Sequence, residues 1–177
     1  MEVHHGSYVI AFDIRIVRAQ TRATAGTQDI TVSGFGTPKA AYFIYSDAGT
    51  NATPDNDARY SVGMTDGTRH RCVFFKSDHN LANTNVSRGA YTNRIFDRNG
   101  ANENGTFNAW ITDGVRINIV DGGSGIFQKL LTVVLFTGDD LSARVDDVVF
   151  STQNTLVHYT SMGFEADLMF TIGAGKT

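Results

Sequence analysis

Apolar and polar side chains alternate along this chain in short runs, and glycine, asparagine or aspartate cuts each run off after a few residues. Nowhere do apolar residues recur at i, i+3 and i+4 over the length a helix needs. A period of two puts successive side chains on opposite faces, so such a chain folds as short strands joined by turns. The pattern is clearest from Thr27 to Asp47, TQDITVSGFGTPKAAYFIYSD. Ile30 and Val32 alternate with Thr31 and Ser33 up to a Gly34-Phe35 turn. Pro38 suits the first residue of a strand, where a missing N–H costs little. Ala40 to Tyr45 is nearly all apolar and of strand length, as in a strand covered on both faces. The same form returns in Leu156 to Gly173, LVHYTSMGFEADLMFTIG, with Gly163-Phe164 in place of Gly34-Phe35.

The remaining segments follow the same habit. In Tyr8 to Val17, Phe12, Ile14 and Ile16 alternate with Asp13 and Arg15, which predicts a half-buried strand. Asp47 to Asp57 is polar and aperiodic, a loop. Arg59 to Met64 and Arg71 to Phe75 read as a hairpin across Asp66-Gly67, since Asp-Gly tolerates the backbone angles of a tight turn. Ser77 to Arg94 is polar and Asn-rich and reads as a surface excursion. Asn99-Gly100 and Asn104-Gly105 read as framing a turn before a strand at Phe107 to Ile111. Asp113-Gly114 then leads into Val115 to Val120, with Val115, Ile117 and Ile119 on one face. Asp121 to Gly125 is a turn. Leu130 to Phe136, LLTVVLF, is the most apolar strand and reads as the centre of a sheet, broken by Gly138-Asp139-Asp140-Leu141. A last strand is expected at Val145 to Phe150.

About ten or eleven such strands in 177 residues predict one all-β unit, an antiparallel β-sandwich or jelly-roll-like fold with little helix; a closed barrel is the alternative. Gly34 and Gly163 lie about 130 residues apart, the size of a domain rather than of a solenoid repeat. The expected organisation is a sandwich over residues 1–150, followed by a strand pair over 151–177 that echoes its opening and either completes the same sheet or is exchanged with a neighbour.

Composition narrows the chemistry. A net charge of −3 and a pI near 5.9 leave no footprint for nucleic acid or an acidic membrane. No apolar run approaches the ~18 residues of a spanning helix, and the N-terminus lacks the pattern of a signal peptide. The lone Cys72 in RCVFF excludes an internal disulfide framework and reads as a small buried hydrophobe. His4 and His5 are adjacent, point to opposite faces of a strand, and cannot easily share an ion. Asp55, Asp57, Asp139, Asp140, Asp146 and Asp147 are the carboxylate clusters, with Asp139 and Asp140 the only metal candidates worth naming, for calcium. Aspartate at a turn is also explained by its own hydrogen bonding, and no metal or cofactor is expected. His70, His79 and His158 could each be written into a triad, but no G-x-S-x-G elbow supports one. Trp110 and Tyr91, with Tyr42, Tyr45 and Tyr60, could form a sugar-stacking surface flanked by Asn80, Asn83, Asn85 and Asn93. A glycan-binding, lectin-like module is therefore the alternative class of function.

GFGTPK followed by an apolar strand, then YSVGMTDG, FNAWITDGVRINI and LLTVVLFTGDDLSARVDDVVF, resembles a family of bacteriophage-associated β-proteins. Their units run from a GF-x-P-K strand pair through a DG hairpin to a GDDL turn. The resemblance covers most of Thr27 to Phe150. This chain has one extra residue between Gly34-Phe35 and Pro38-Lys39, and Glu165-Ala166-Asp167 where the echo would carry its proline. The resemblance implies a structural, non-enzymatic role in the virion, as a capsid decoration or head-associated subunit or as a tail or fibre-associated component. Such a protein would assemble as a homo-oligomer and with other virion proteins. The apolar segment Leu168, Met169, Phe170 and Ile172 is the expected assembly strand, since an edge that neither folds back nor pairs with a neighbour invites aggregation.

Overall fold

In the computed structural model the described residues are 12–49, 56–79, 86–100, 103–120, 127–148, 162–166 and 168–173. They contain ten strands and no helix. In chain order these are β1 (Phe12–Gln20), β2 (Gly26–Thr31), β3 (Ala40–Ser46), β4 (Ala58–Thr65), β5 (His70–Ser77), β6 (Val86–Tyr91), β7 (Phe96–Asp97), β8 (Asn104–Ile111), β9 (Gly114–Val120) and β10 (Leu130–Gly138). All pairings are antiparallel, in a six-stranded sheet ordered β1-β10-β3-β4-β5-β6 and a four-stranded sheet ordered β2-β9-β8-β7. The ribbon β1–β2 runs beside the ribbon β9–β10, one strand of each in either sheet, which is jelly-roll winding. A plain meander, β3 to β6, extends the larger sheet. The expected all-β sandwich is thus the fold.

The core lies between the sheets and follows from strict alternation. Phe43 and Tyr45 of β3, Leu131, Val133 and Leu135 of β10, and Val115, Ile117 and Ile119 of β9 are essentially inaccessible. Tyr45 stacks on Phe96 with ring centroids 5.3 Å apart. Two glycines sit where backbone crosses at close range: a Cβ on Gly63 would come within 2.0 Å of the Ile95 carbonyl, and one on Gly114 within 2.0 Å of the Ile30 carbonyl. The Asp66-Gly67 hairpin forms as expected, with Gly67 at φ +87 and the Asp66 carboxylate accepting the N–H groups of Thr68 and Arg69.

Several expectations are corrected. Ser77 to Arg94 is not only an excursion, because β6 forms the edge beyond β5; its short sequence VSRGAY is half polar, as an edge strand can be, and Gly89 makes room for the Phe74 ring. Asn104-Gly105 is no turn but the start of β8, paired with Val120 and Ile119. β10 is interior yet stands one place from the edge, not at the centre. The described part of Val145 to Phe150 is not a strand, since the Val145 N–H is taken by the Asp66 carboxylate rather than by a ladder. Leu168 to Ile172 likewise forms no ladder. The apolar row of β1 faces away from the core: Val17 and Ala19 pack inward, whereas Phe12, Ile14 and Ile16 are 42%, 43% and 71% exposed. Tyr8 to Ala11, Asp121 to Gly125 and Leu156 to Ser161 lie outside the described residues.

Candidate functional site

A sandwich sheet normally turns polar residues outward. The six-stranded sheet does not. Residues paired across its strands put Ile16 beside Val134, Val134 beside Tyr42 and Tyr42 beside Met64 on the outward side. A second row runs from Ile44 through Val62 to Val73. Val62 and Val73 are 4% and 7% exposed although they face away from the core. The sheet is therefore apolar on both faces, which answers the near-continuous apolar run of β3.

The chain returns to this outer face after β10. Gly138, at φ +151, lets the strand break, and the Leu141 N–H closes a turn on the Gly138 carbonyl. Lys39 Nζ donates to the carbonyls of Asp139 and Leu141, at 2.9 and 3.3 Å. The GFGTPK stretch thereby clamps the GDDL turn. It also meets the second Asp-Gly turn, where the Gly36 N–H donates to the Asp113 carboxylate at 2.8 Å. Backbone N–H groups around that carboxylate hold Asp113 below the usual carboxylate range.

From Leu141 to Asp147 the chain forms a strap across the β4–β5 hairpin. Val145 is 6% exposed and its N–H donates to Asp66 at 2.8 Å. Arg69 pairs with Asp146, and Arg71 with Asp147 at 2.6 Å. Beyond the strap, Met162, Phe164 to Ala166 and Leu168 to Phe170 border a cavity of about 480 Å³ on the outer face, floored by Tyr42, Met64 and Phe136. Phe170 lies over Tyr42 and Phe136, at 6.0 and 6.2 Å between ring centroids. Its cover is loose. Leu168, Met169 and Phe170 remain 66%, 66% and 55% exposed, with Ile172 partly buried.

The other expected site residues are differently placed. The Asp139 and Asp140 side chains are exposed, and it is the Asp139 carbonyl, not its carboxylate, that Lys39 engages. Among the described residues no three His, Cys, Asp or Glu side chains are grouped to hold a metal. Asp57 is engaged by Arg59 and by the His79 N–H. His70 Nδ1 meets the Thr65 hydroxyl at 2.7 Å and its ring stacks on Phe107; burial pushes its pKa down. Cys72 is buried, and burial pushes its thiol up to about 12. Trp110 packs edge-on against Phe107 and crowds Gly67. Tyr91 stacks on Phe74, carries the Arg94 guanidinium 3.8 Å from its ring centre and donates to the Gly100 carbonyl. The two aromatics thus belong to different clusters. Asp55, Asn80, Asn83, Asn85, His4, His5 and His158 lie outside the described residues.

Sequence reasoning missed a buried ionic cluster at one end of the sandwich. Asp47, 2% exposed, accepts from the Tyr45 hydroxyl at 3.0 Å, from Arg59 at 3.1 Å and from Arg98 at 2.8 Å. Arg98 also reaches Glu103, at 2.6 Å. Burial opposes the Asp47 charge, yet the guanidinium of Arg98, with Lys129 and Arg59, holds its carboxyl below the usual range. Tyr45 comes from β3, Arg59 from β4 and Arg98 from the stretch after β7, so no local motif announces the cluster.

No family model matches the chain, and no curated protein matches it. Among solved structures it is similar to the Acinetobacter phage vB_ApiP_P1 tailspike protein, at 14% identity, over 78% of this chain and 23% of that one. The TM-score is 0.26, too low for the likeness to bear on fold or function.

Proposed function

We propose that this chain is a non-enzymatic structural protein of a bacteriophage virion, a capsid decoration or head-associated subunit or a tail or fibre-associated component. The observation that carries the reading is the outer face of the larger sheet with Leu168, Met169 and Phe170 half-seated upon it. Large apolar side chains gathered on one surface mark an interaction site. Full burial of each is worth about 1.5 to 3 kcal/mol, so a neighbour that completed their cover would gain several kcal/mol from this segment alone. The phage resemblance adds support from a separate direction, because its GFGTPK and GDDL stretches build the clamp that launches the strap toward this face. In this reading the segment fastens the chain to neighbouring subunits of the particle.

Mass spectrometry of gradient-purified particles tests it. The chain is expected at a fixed copy number per particle. Its recovery only in the soluble fraction of the lysate, with particles devoid of it, would overturn the reading.

A further inference from the structure

The outer face of the larger sheet changes character along one row. Gln20, Leu130, Ser46, Tyr60, Phe75 and Arg88 are successive partners across all six strands. Tyr60 and Phe75 stand two residues along β4 and β5 from the buried Val62 and Val73, so they share that outward side, yet both are exposed. Partners directly opposite in a ladder hold their Cβ atoms about 5 Å apart, which sets the two side chains next to each other. Among the described residues neither ring stacks on another aromatic. Arg88 completes the row on β6, exposed. Every other described arginine and lysine has a hydrogen-bond or ion-pair partner, whereas Arg88 has none among the described residues. Its neighbours on the same face, Phe75, Val86 and Ala90, carry no charge, and Ala58 and Ser77 in the adjoining row are small.

We infer that this corner of the sheet binds an acidic sugar, a pyranose bearing one carboxylate, with its C–H face on Phe75 and Tyr60 and its carboxylate on Arg88. A ring face is apolar and carries the negative side of its quadrupole, which suits the C–H groups on one side of a pyranose. The guanidinium fork donates two parallel N–H bonds to a carboxylate, a planar match that a point charge does not offer. Charge selects among ligands that stack. A neutral sugar would leave Arg88 without a partner. A nucleic-acid strand carries a phosphate on each nucleotide and calls for a groove of several cations, where this corner has one. The site uses residues other than those that carry the virion reading, so either can fail without the other.

Ligand-detected NMR and titration calorimetry on the full chain test it. The probes are sialyllactose and a glucuronate-capped lactose, with lactose as the neutral control and a thymidine oligonucleotide as the rival polyanion. The acidic probes are expected to bind saturably with a Kd of about 1 mM or tighter, and lactose about ten-fold more weakly. Arg88→Gln should bring the acidic probes down to the level of lactose. Phe75→Ala and Tyr60→Ala should each weaken them by about five-fold, while Phe75→Tyr, which keeps the ring, should bind as the native chain does. All four variants should keep the native circular dichroism spectrum, since these side chains face outward. No saturable binding of either acidic probe at millimolar concentration, equal affinity for lactose, or unchanged binding by Arg88→Gln overturns the inference. Tighter binding of the oligonucleotide that Arg88→Gln abolishes overturns it as well, and makes the corner a nucleic-acid site.

Discussion

At the scale of single residues, the buried charges are where a substitution is costly, because Asp47 and its arginines depend on one another once water is excluded. Removing one partner of a buried ion pair leaves the other uncompensated and costs about 3 to 5 kcal/mol. Asp47→Ala leaves Arg59 with Asp57 and Asp78 and Arg98 with Glu103, so it should lower unfolding free energy in urea at pH 7 by about 3 kcal/mol, the lower end of that range. The pH dependence has a definite sign. The Asp47 folded-state pKa is depressed, so its contribution is complete above the unfolded value of about 3.9 and is lost as pH falls through the lower folded value. The gap between the native protein and the conservative variant Asp47→Asn should therefore narrow on acidification below about pH 4. A gap that is constant from pH 7 to pH 3 would show that the carboxylate charge is not what the cluster uses. Asp97 has the opposite sign: burial raises its pKa against the N–H groups of Gly100 and Asn99 and the pull of Arg94.

At the scale of the element, β4 owes its place to an absence of side chain. Gly63 pairs with Phe43 and Cys72 in the ladder while its Cα faces the Ile95 carbonyl. A methyl group there would meet backbone, which cannot swing aside as a side-chain tip can. Overpacking typically costs about 1 to 3 kcal/mol, and Gly63→Ala should fall at or beyond the upper end. Thermal unfolding checks this, and a change in melting temperature of under about 2 °C would contradict the close approach. The adjoining strap is held by polar contacts to Asp66, Arg69 and Arg71, so it depends on the hairpin more than on its own sequence.

At the scale of the whole molecule, the core closes without the C-terminal segment. Every residue of the main cluster, from Ile30 to Leu135, lies ahead of the strap. A chain truncated after Phe150 should therefore keep its β-type circular dichroism spectrum, with at most a modest fall in melting temperature, while losing attachment to particles. An unfolded truncation product would show instead that the segment's contacts with Tyr42 and Phe136 are required for the fold.

What the sequence determined by itself is local. Alternation of period two specified strands, and β9 shows it cleanly, with Val115, Ile117 and Ile119 all buried. Asp66-Gly67 and Asp113-Gly114 marked turns, because their chemistry is contained within a few residues. Only the tertiary structure decided which side of an alternating strand faces inward. In β1 two apolar sets compete: Val17 and Ala19 won the core, since β1 continues into β2 across the sandwich corner, and Phe12, Ile14 and Ile16 were left outside. The apolar strands expected at Val145 and Leu168 failed for a related reason. A segment becomes a strand when an edge accepts its backbone, and here the strap's N–H groups found a carboxylate and the later segment lay on a face. The Asp47 cluster was illegible for the same cause, its arginines being 12 and 51 residues away, Arg59 brought in by the β3–β4 pairing and Arg98 by the packing of the two sheets.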